Sequence, residues 1–139
     1  MKIPGLRAAD EKVGGLVHFG RMLDKIRLAR AGTLPEGYFL GEGDFSWWDA
    51  RLCRFLGVPY AGLRERVESG ASDEQVLAWC RENGSNPGEE ETHIWNTFIL
   101  KRGWRDEASP GLEEEKVDCG FGDRDDIQTF LDLQKAQES

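Results

Sequence analysis

Four polar side chains of one predicted helix could together bind an anion or transfer a proton. They are His18, Arg21, Asp24 and Lys25. Helical spacings of three and four residues put His18, Arg21 and Lys25 on one face. Arg21 has the planar guanidinium that grips carboxylates and phosphates, and the ordinary pKa of histidine lies near neutral pH. We therefore predict Arg21 and Lys25 as ligand-binding residues, and His18 and Asp24 as candidate proton-transfer groups.

The same residues also suit a solvated helix face on which Asp24 relieves the repulsion between Arg21 and Lys25. For each residue taken singly, this is the simpler interpretation. Arg21 is the strongest exception, because it lies among apolar neighbours in the sequence and an arginine there needs a partner.

The densest cationic cluster contains Lys101, Arg102 and Arg105, with Trp104 among them. Cations around an indole ring can form an anion pocket with an aromatic floor, so we predict all four residues as ligand-binding. The alternative is that the cations complement the dipole of a helix C-terminus and the tryptophan anchors a loop.

Two further ligand-binding candidates, Trp48 and Asn96, each follow a tryptophan in the sequence. Trp47 and Trp48 are adjacent, so one helix face cannot bury both, and we expect Trp48 or Trp104 to form a pocket wall. Asn96, next to Trp95, is the second candidate, as a polar contact.

The acidic segment around Asp123 and Asp125 offers oxygen ligands, but it lacks the central glycine of a calcium-binding EF-hand loop. We expect it to start a helix, with Asp123 as the N-cap and Asp126 completing a capping box. Asp123 and Asp125 remain candidates for proton transfer, as does His18.

No motif predicts a metal or a cofactor. Glu90 and His93 form one Glu-x-x-His motif, whereas di-iron bundles use two. The three cysteines show no C-x-x-C spacing, and phosphate-loop and dinucleotide fingerprints are absent. We therefore expect no metal site and no cofactor.

These residues must be positioned by helices. Apolar residues recur at helical spacing over about 13–31, from Val13 to Ala31, and this segment has the longest pattern. Six further helices are predicted: 45–56, Pro59 to about Gly70, Ser72 to about Gly84, near Pro87 to about Gly103, 110–117 and 124–135. We expect Asp44 or Ser46 to cap the first of these, and Ser72 and Gln75 to form a capping box at the start of the third.

No segment shows sustained period-two alternation, so we predict no strand. The predicted fold is all-α, a compact orthogonal bundle of six to seven helices around the 13–31 helix. We expect a single domain over residues 1–139, with an irregular arm at 1–12 and a frayed tail at 136–139.

The net charge of −8 argues against binding to nucleic acid or to an anionic membrane, because both need a basic surface. The N-terminal segment has no apolar stretch typical of a signal peptide, and no apolar run is long enough to span a bilayer. We therefore expect a cytoplasmic protein, and the sequence leaves a homodimer open.

Four segments resemble a bacterial family that is known as a domain of unknown function. They are IPGLR near the start, FGRMLDKIRLARAG, IWN-x-F-x-x-KRGWRDE over 94–107 and GDRDDIQTF over 122–130. The resemblance covers nearly the whole chain in the same order. It implies a small, mostly helical bacterial protein and transfers no activity, cofactor or catalytic residue.

The leading functional hypothesis is a domain that binds a small molecule or anion, such as a carboxylate or phosphate. The first alternative is a small, hydrolase-like acid–base enzyme that uses His18 or an aspartate near Arg21. The second is a protein-interaction module that presents Trp47 and the loop at 38–40 as exposed anchors.

Overall fold

The structure, a computed structural model, describes residues 1–41 and 47–139. Within these residues the chain forms seven α-helices and no β-strand, which confirms the predicted all-α fold. The helices are α1 Phe19–Arg30, α2 Trp48–Leu56, α3 Tyr60–Glu68, α4 Asp73–Asn83, α5 Glu89–Lys101, α6 Ser109–Asp118 and α7 Phe130–Gln137.

Helix α1 begins six residues later than predicted, at Phe19 rather than Val13. Gly14 and Gly15 have φ values of 58° and 81°, and the backbones of Val13 and Leu16 bond to each other across them. These left-handed glycines form a tight turn, which helical φ values would not allow. The apolar spacing continues through the turn because Leu16 and Val17 are buried and Val13 is partly buried.

Helix α1 is buried on nearly all sides, as expected of a central helix. Its buried residues include the polar Arg21 and Asp24 as well as the apolar positions. Helix α1 packs on α3, α3 contacts α2 and α4, and α5 contacts α7. Gly20 admits the side chain of Arg7, since a Cβ atom there would lie 2.9 Å from Arg7 Cζ.

The capping prediction was correct for α4 and wrong for α7. Ser72 accepts from the Gln75 N–H and Gln75 Oε1 accepts from the Ser72 N–H, which confirms the predicted capping box. The predicted start of α7 near Arg124 is wrong, and Asp123 and Asp126 do not cap it. Thr129 is the N-cap, with Asp132 as its capping-box partner.

Arg124 instead bonds both carboxylate oxygens of Asp126 at 2.7 Å, which closes a turn before the helix. Only the last residues of the predicted 124–135 segment are helical. Ile127 in that turn is buried, and this anchors the connection between α6 and α7.

The predicted start of α2 at Phe45, with Asp44 or Ser46 as the cap, lies outside the described residues. The described part of this helix starts at Trp48 and ends at Leu56, followed by a left-handed Gly57. Glycine is the residue that most readily adopts this left-handed conformation at a helix end.

Two apolar clusters hold the helices together. The larger one centres on α1 and includes Phe19, Met22 and Leu23, all fully buried. The smaller one joins α6 to α7 through Leu112 and Leu133. Among the described residues no helix is both long and apolar enough to cross a bilayer.

Both ends of the chain are fastened to α1. In the irregular N-terminal arm, Arg7 bonds Asp24 at 2.9 Å and Asp73 at 2.8 Å. At the other end, Glu138 bonds Arg21. The ion pairs of Arg7 and Arg21 therefore tie the termini to the central helix.

Candidate functional site

A cavity of about 720 Å³ lies beside α1. His18, the N-cap of α1, and Arg21 and Lys25 within α1 line one side of it. Residues 36–39, the start of α2, and parts of α6 and α7 supply the other walls. Arg102 and Ala108, from the connection between α5 and α6, line it as well, so the cavity lies where several segments of the chain meet around the polar face of α1.

His18 and Asp49 form a buried pair on this wall. His18 Nε2 lies 2.6 Å from Asp49 Oδ1, and each side chain is only 3% exposed. A carboxylate can only accept, so Nε2 carries the proton and donates it to Asp49. This leaves Nδ1 as the basic nitrogen of a neutral imidazole.

The second carboxylate oxygen of Asp49 is also fully engaged. Lys25 Nζ donates to Asp49 Oδ2 at 2.7 Å, and the Gly41 N–H donates to the same oxygen at 3.0 Å. Burial acts to raise the pKa of the Asp49 carboxyl, but the His18 hydrogen bond and the Lys25 charge prevail and hold that pKa well below its usual range. Asp49 is therefore an ionised carboxylate that accepts from three donors among the described residues.

Burial lowers the pKa of His18, although its hydrogen bond and attraction to Asp49 oppose the shift. Lys25 and Arg21 lower it further by repulsion. Because Lys25 already balances the charge of Asp49, the neutral imidazole is the favoured form in the folded protein. A neutral histidine oriented by a carboxylate is the arrangement that general-base catalysis uses.

The backbone of His18 is unusual as well. It is the N-cap of α1, with φ 70° and ψ −19°, in the left-handed region that non-glycine residues rarely adopt. Its N–H donates to the Ala9 carbonyl at 2.7 Å, and its side chain provides no capping bond. The left-handed turn thus orients the imidazole toward Asp49 instead of toward the helix end.

Arg21 is paired with Glu138. Two guanidinium nitrogens donate to the two carboxylate oxygens at 2.8 and 2.6 Å, and one of them also donates to the Arg7 carbonyl at 3.2 Å. Tyr38 donates its hydroxyl to Glu138 Oε2 at 2.8 Å. The predicted need of Arg21 for a partner is confirmed, and the partner is a carboxylate at the cavity wall.

Two polar atoms on residues of this wall are out of contact with solvent and without a hydrogen-bond partner among the described residues. They are His18 Nδ1 and Gln134 Oε1. Both are acceptors, the first because Nε2 carries the imidazole proton and the second as an amide oxygen, and both residues line the cavity. Buried acceptors without a donor are rare in native structures and destabilise the fold.

Aromatic rings form the less polar part of the wall. The Trp48 ring meets His18 edge-on at a centroid distance of 5.5 Å, and Phe39 packs on Trp47 at 4.8 Å. Phe39 and Trp47 are 60% and 36% exposed and both line the cavity, so they belong to its rim. The aromatics predicted as interaction anchors thus lie at the cavity.

The predicted cationic cluster at 101–105 divides into two parts. Arg102 is buried, lies over Phe98, contacts the Glu107 carboxylate at 3.2 Å and lines the cavity. Lys101 and Arg105 instead lie over the exposed Trp104 ring, at 5.5 and 5.1 Å from its centroid, and none of these three residues lines the cavity.

Three cations and five carboxylates line the cavity in the described part of the chain. The wall thus provides no net positive potential, and anion binding there would depend on the local geometry of single cations. The cations are Arg21, Lys25 and Arg102, and the carboxylates are Glu36, Asp49, Glu115, Asp118 and Glu138.

The remaining candidate residues lie elsewhere. Asn96 bonds the Gly15 carbonyl and the Val17 N–H, at 2.8 and 3.0 Å, and fastens the turn before α1. Asp24 is bound by Arg7, and Asp123 and Asp125 are exposed in the connection before α7. None of these four candidates lines the cavity.

Sequence analysis missed three residues of the site: Asp49, Gln134 and Glu138. Asp49 had a usable signal, because it precedes the buried Leu52 and Cys53 by three and four residues and so shares their helix face. Glu138 pairs with a residue 117 positions away, and no local pattern reports that distance.

Within the described residues, no three histidine, cysteine or acidic side chains converge in a way that could hold a metal ion.

A family model described as a domain of unknown function (DUF5069) matches residues 3–139, so the chain belongs to this family. No curated protein matches the chain.

Proposed function

We propose that this member of the DUF5069 family binds a small molecule that carries hydrogen-bond donors, in the cavity beside α1. The single observation that carries the proposal is that His18 Nδ1 and Gln134 Oε1, two buried acceptors without a described donor, belong to residues of the same cavity wall. A bound hydroxyl or amine would satisfy them.

The size and composition of the cavity support the same conclusion. Small-molecule sites commonly enclose about 300–1,000 Å³, with aromatic walls and a few placed polar groups. A volume of about 720 Å³ lies within that range, and Trp48 and Phe39 supply aromatic surface. A ligand would approach the two acceptors after a local side-chain adjustment, since both atoms are shielded from solvent in the unliganded protein.

The test is a two-dimensional ¹H–¹⁵N NMR screen with matched fragment pairs. Each pair contains an aromatic alcohol or amine and its fully methylated counterpart, the methyl ether or the N,N-dimethylamine, which has no O–H or N–H to donate. We expect donor fragments to shift the resonances of His18, Gln134 and their neighbours more strongly than the methylated fragments do. Equal shifts within the pairs, or no shifts at the cavity, would contradict the proposal.

Two variants connect the screen to the acceptors. His18→Phe and Gln134→Leu should abolish the preference for donor fragments. His93→Phe and Gln128→Leu remove an exposed histidine and an exposed glutamine elsewhere, so they should retain it. A preference that survives in both cavity variants would assign it to other groups.

The His18–Asp49 pair supports a second candidate function, acid–base catalysis. A neutral imidazole whose Nε2–H is held by a carboxylate can accept a proton at Nδ1 from a bound hydroxyl or water. Asp49 holds one imidazole nitrogen of His18 at 2.6 Å and leaves the other nitrogen as the proton acceptor, which is the arrangement that this chemistry needs.

Hydrolysis of p-nitrophenyl acetate tests the second candidate. Water would attack the acyl carbon while His18 accepts its proton, and p-nitrophenolate would leave. We expect a rate above that of the His18→Gln variant, with His93→Gln retaining it. Equal rates for the wild type and His18→Gln would exclude His18 as the base for this probe.

A further inference from the structure

The pair between Arg21 and Glu138 has the form of an occupied carboxylate site. Two guanidinium nitrogens and the Tyr38 hydroxyl donate to one carboxylate at distances of 2.6 to 2.8 Å. The paired donation from arginine is the geometry by which proteins recognise free carboxylates. The donor set does not depend on the backbone of Glu138, so another carboxylate can satisfy it.

The same three residues line the cavity for which we propose ligand binding. Arg21 lies in the first turn of α1 and His18 is the N-cap of that helix, and both line the cavity, so the carboxylate site and the imidazole belong to one wall. A ligand that reached both would need a carboxylate at one end and a hydrogen-bond donor at the other.

Glu138 is positioned so that it can exchange. It follows the last residue of α7, and only its N–H, bonded to the Gln134 carbonyl at 3.0 Å, continues the helical pattern. Withdrawing Glu138 from Arg21 would therefore loosen the last helical turn, the turn that contains the wall residue Gln134.

The geometry points to a small carboxylic acid as the ligand of the cavity, with Glu138 as an internal carboxylate that occupies Arg21 and Tyr38 until the ligand replaces it. This inference rests on the proposed function and assigns the chemical class of its ligand. Glu138 then acts as a built-in competitor, and the apparent dissociation constant of a carboxylate rises as the fraction of time that Glu138 occupies the site rises.

Titration of the Glu138→Gln variant with benzoate tests the inference. Glutamine keeps the shape of the side chain and loses the charge-assisted bonds to Arg21. We expect benzoate to bind this variant at least about tenfold more tightly than the wild type, because the competitor is weakened. Benzamide, the neutral counterpart, should show no such gain, and the change in shape is thereby controlled.

Glu82→Gln removes an exposed carboxylate elsewhere and should leave benzoate binding unchanged. Adding Arg21→Gln to Glu138→Gln should abolish the gain. If Glu138→Gln fails to fold, Glu138→Asp keeps the charge and shortens the side chain, and it should show a smaller gain of the same sign.

Unchanged benzoate affinity in the folded Glu138→Gln or Glu138→Asp variant would overturn the inference. If donor fragments still shift His18 and Gln134 in the wild type at the same time, the proposed function stands and only the carboxylate class is lost. If the donor fragments do not shift His18 and Gln134 but benzoate binds the variant more tightly, the carboxylate site stands and the proposed binding to the two acceptors is lost.

Discussion

His18, the N-cap of α1, donates from its Nε2 to Oδ1 of Asp49 in α2 over 2.6 Å, although the two residues are 31 positions apart. Lys25 Nζ and the Gly41 N–H both donate to the other carboxylate oxygen of Asp49, Oδ2. The arrangement of this part of the wall thus depends on one buried carboxylate.

Asp49→Asn should destabilise the fold strongly. The substitution leaves Lys25 and His18 without their anionic partner in a buried site, and loss of one member of such a set costs about 3 kcal/mol or more. Urea denaturation measures the change. Asp125→Asn, at an exposed position, should change the free energy of unfolding by less than about 0.5 kcal/mol. Similar midpoints for the two variants would show that Asp49 is not a structural centre.

The free energy of unfolding should fall as the pH is lowered below about 6.5, the ordinary pKa of histidine. The folded pKa of His18 is lowered, so between that pKa and about 6.5 the unfolded chain binds more protons than the folded one. The contribution is at most about 1.4 kcal/mol per pH unit. It should be absent from His18→Gln, and a comparison of urea curves at pH 7.5 and 5.5 measures it. Parallel losses in the two proteins would contradict the lowered pKa.

Lys25→Met should raise the pKa of His18. Lys25 repels the protonated imidazole and shares the charge of Asp49, so its removal leaves the carboxylate to His18 alone. An NMR titration of the His18 Hε1 resonance measures the shift, and Lys101→Met, at an exposed position away from the cavity, should leave it in place. A fall in the pKa would mean that burial alone controls it.

Asp24→Asn should release the N-terminal arm. The amide keeps one acceptor oxygen but carries no charge, so Arg7 would lose one of its two side-chain bonds to this residue and the charge of the pair, and would keep its bonds to Asp73. Hydrogen bonds to charged groups contribute about 1.5–3 kcal/mol, and we expect a loss near the lower value because Arg7 is partly exposed. Limited trypsin digestion should cut faster after Lys12 in this variant than in Asp123→Asn. Equal rates would show that other contacts hold the arm.

The elements that sequence analysis placed well are those whose ends are fixed locally. Ser72 and Gln75 bond to each other's backbone, so their spacing suffices to predict the start of α4. The same rule failed at Asp123 and Asp126, because Arg124 captured Asp126 and the buried Ile127 fixed the turn. The competing interaction decided which local pattern formed.

Only part of the site could be predicted from the sequence, for a similar reason. Arg21 and Lys25 lie one turn apart in α1, and their common face could be predicted from spacing, whereas His18 reaches the same wall through its left-handed backbone before the helix. Their partners could not be predicted, because Asp49 and Glu138 arrive from other segments through the packing of α2 and α7 around α1. The pairing that gives these cations their chemistry is a property of the tertiary structure.

The left-handed backbone of His18 has a consequence for engineering. A side chain in that conformation costs roughly 1–2 kcal/mol relative to glycine, so His18→Gly would relax the backbone while it removed the imidazole from the wall. At this residue a search for greater thermal stability and a search for better chemistry would choose different amino acids, as stability–activity trade-offs at functional sites predict.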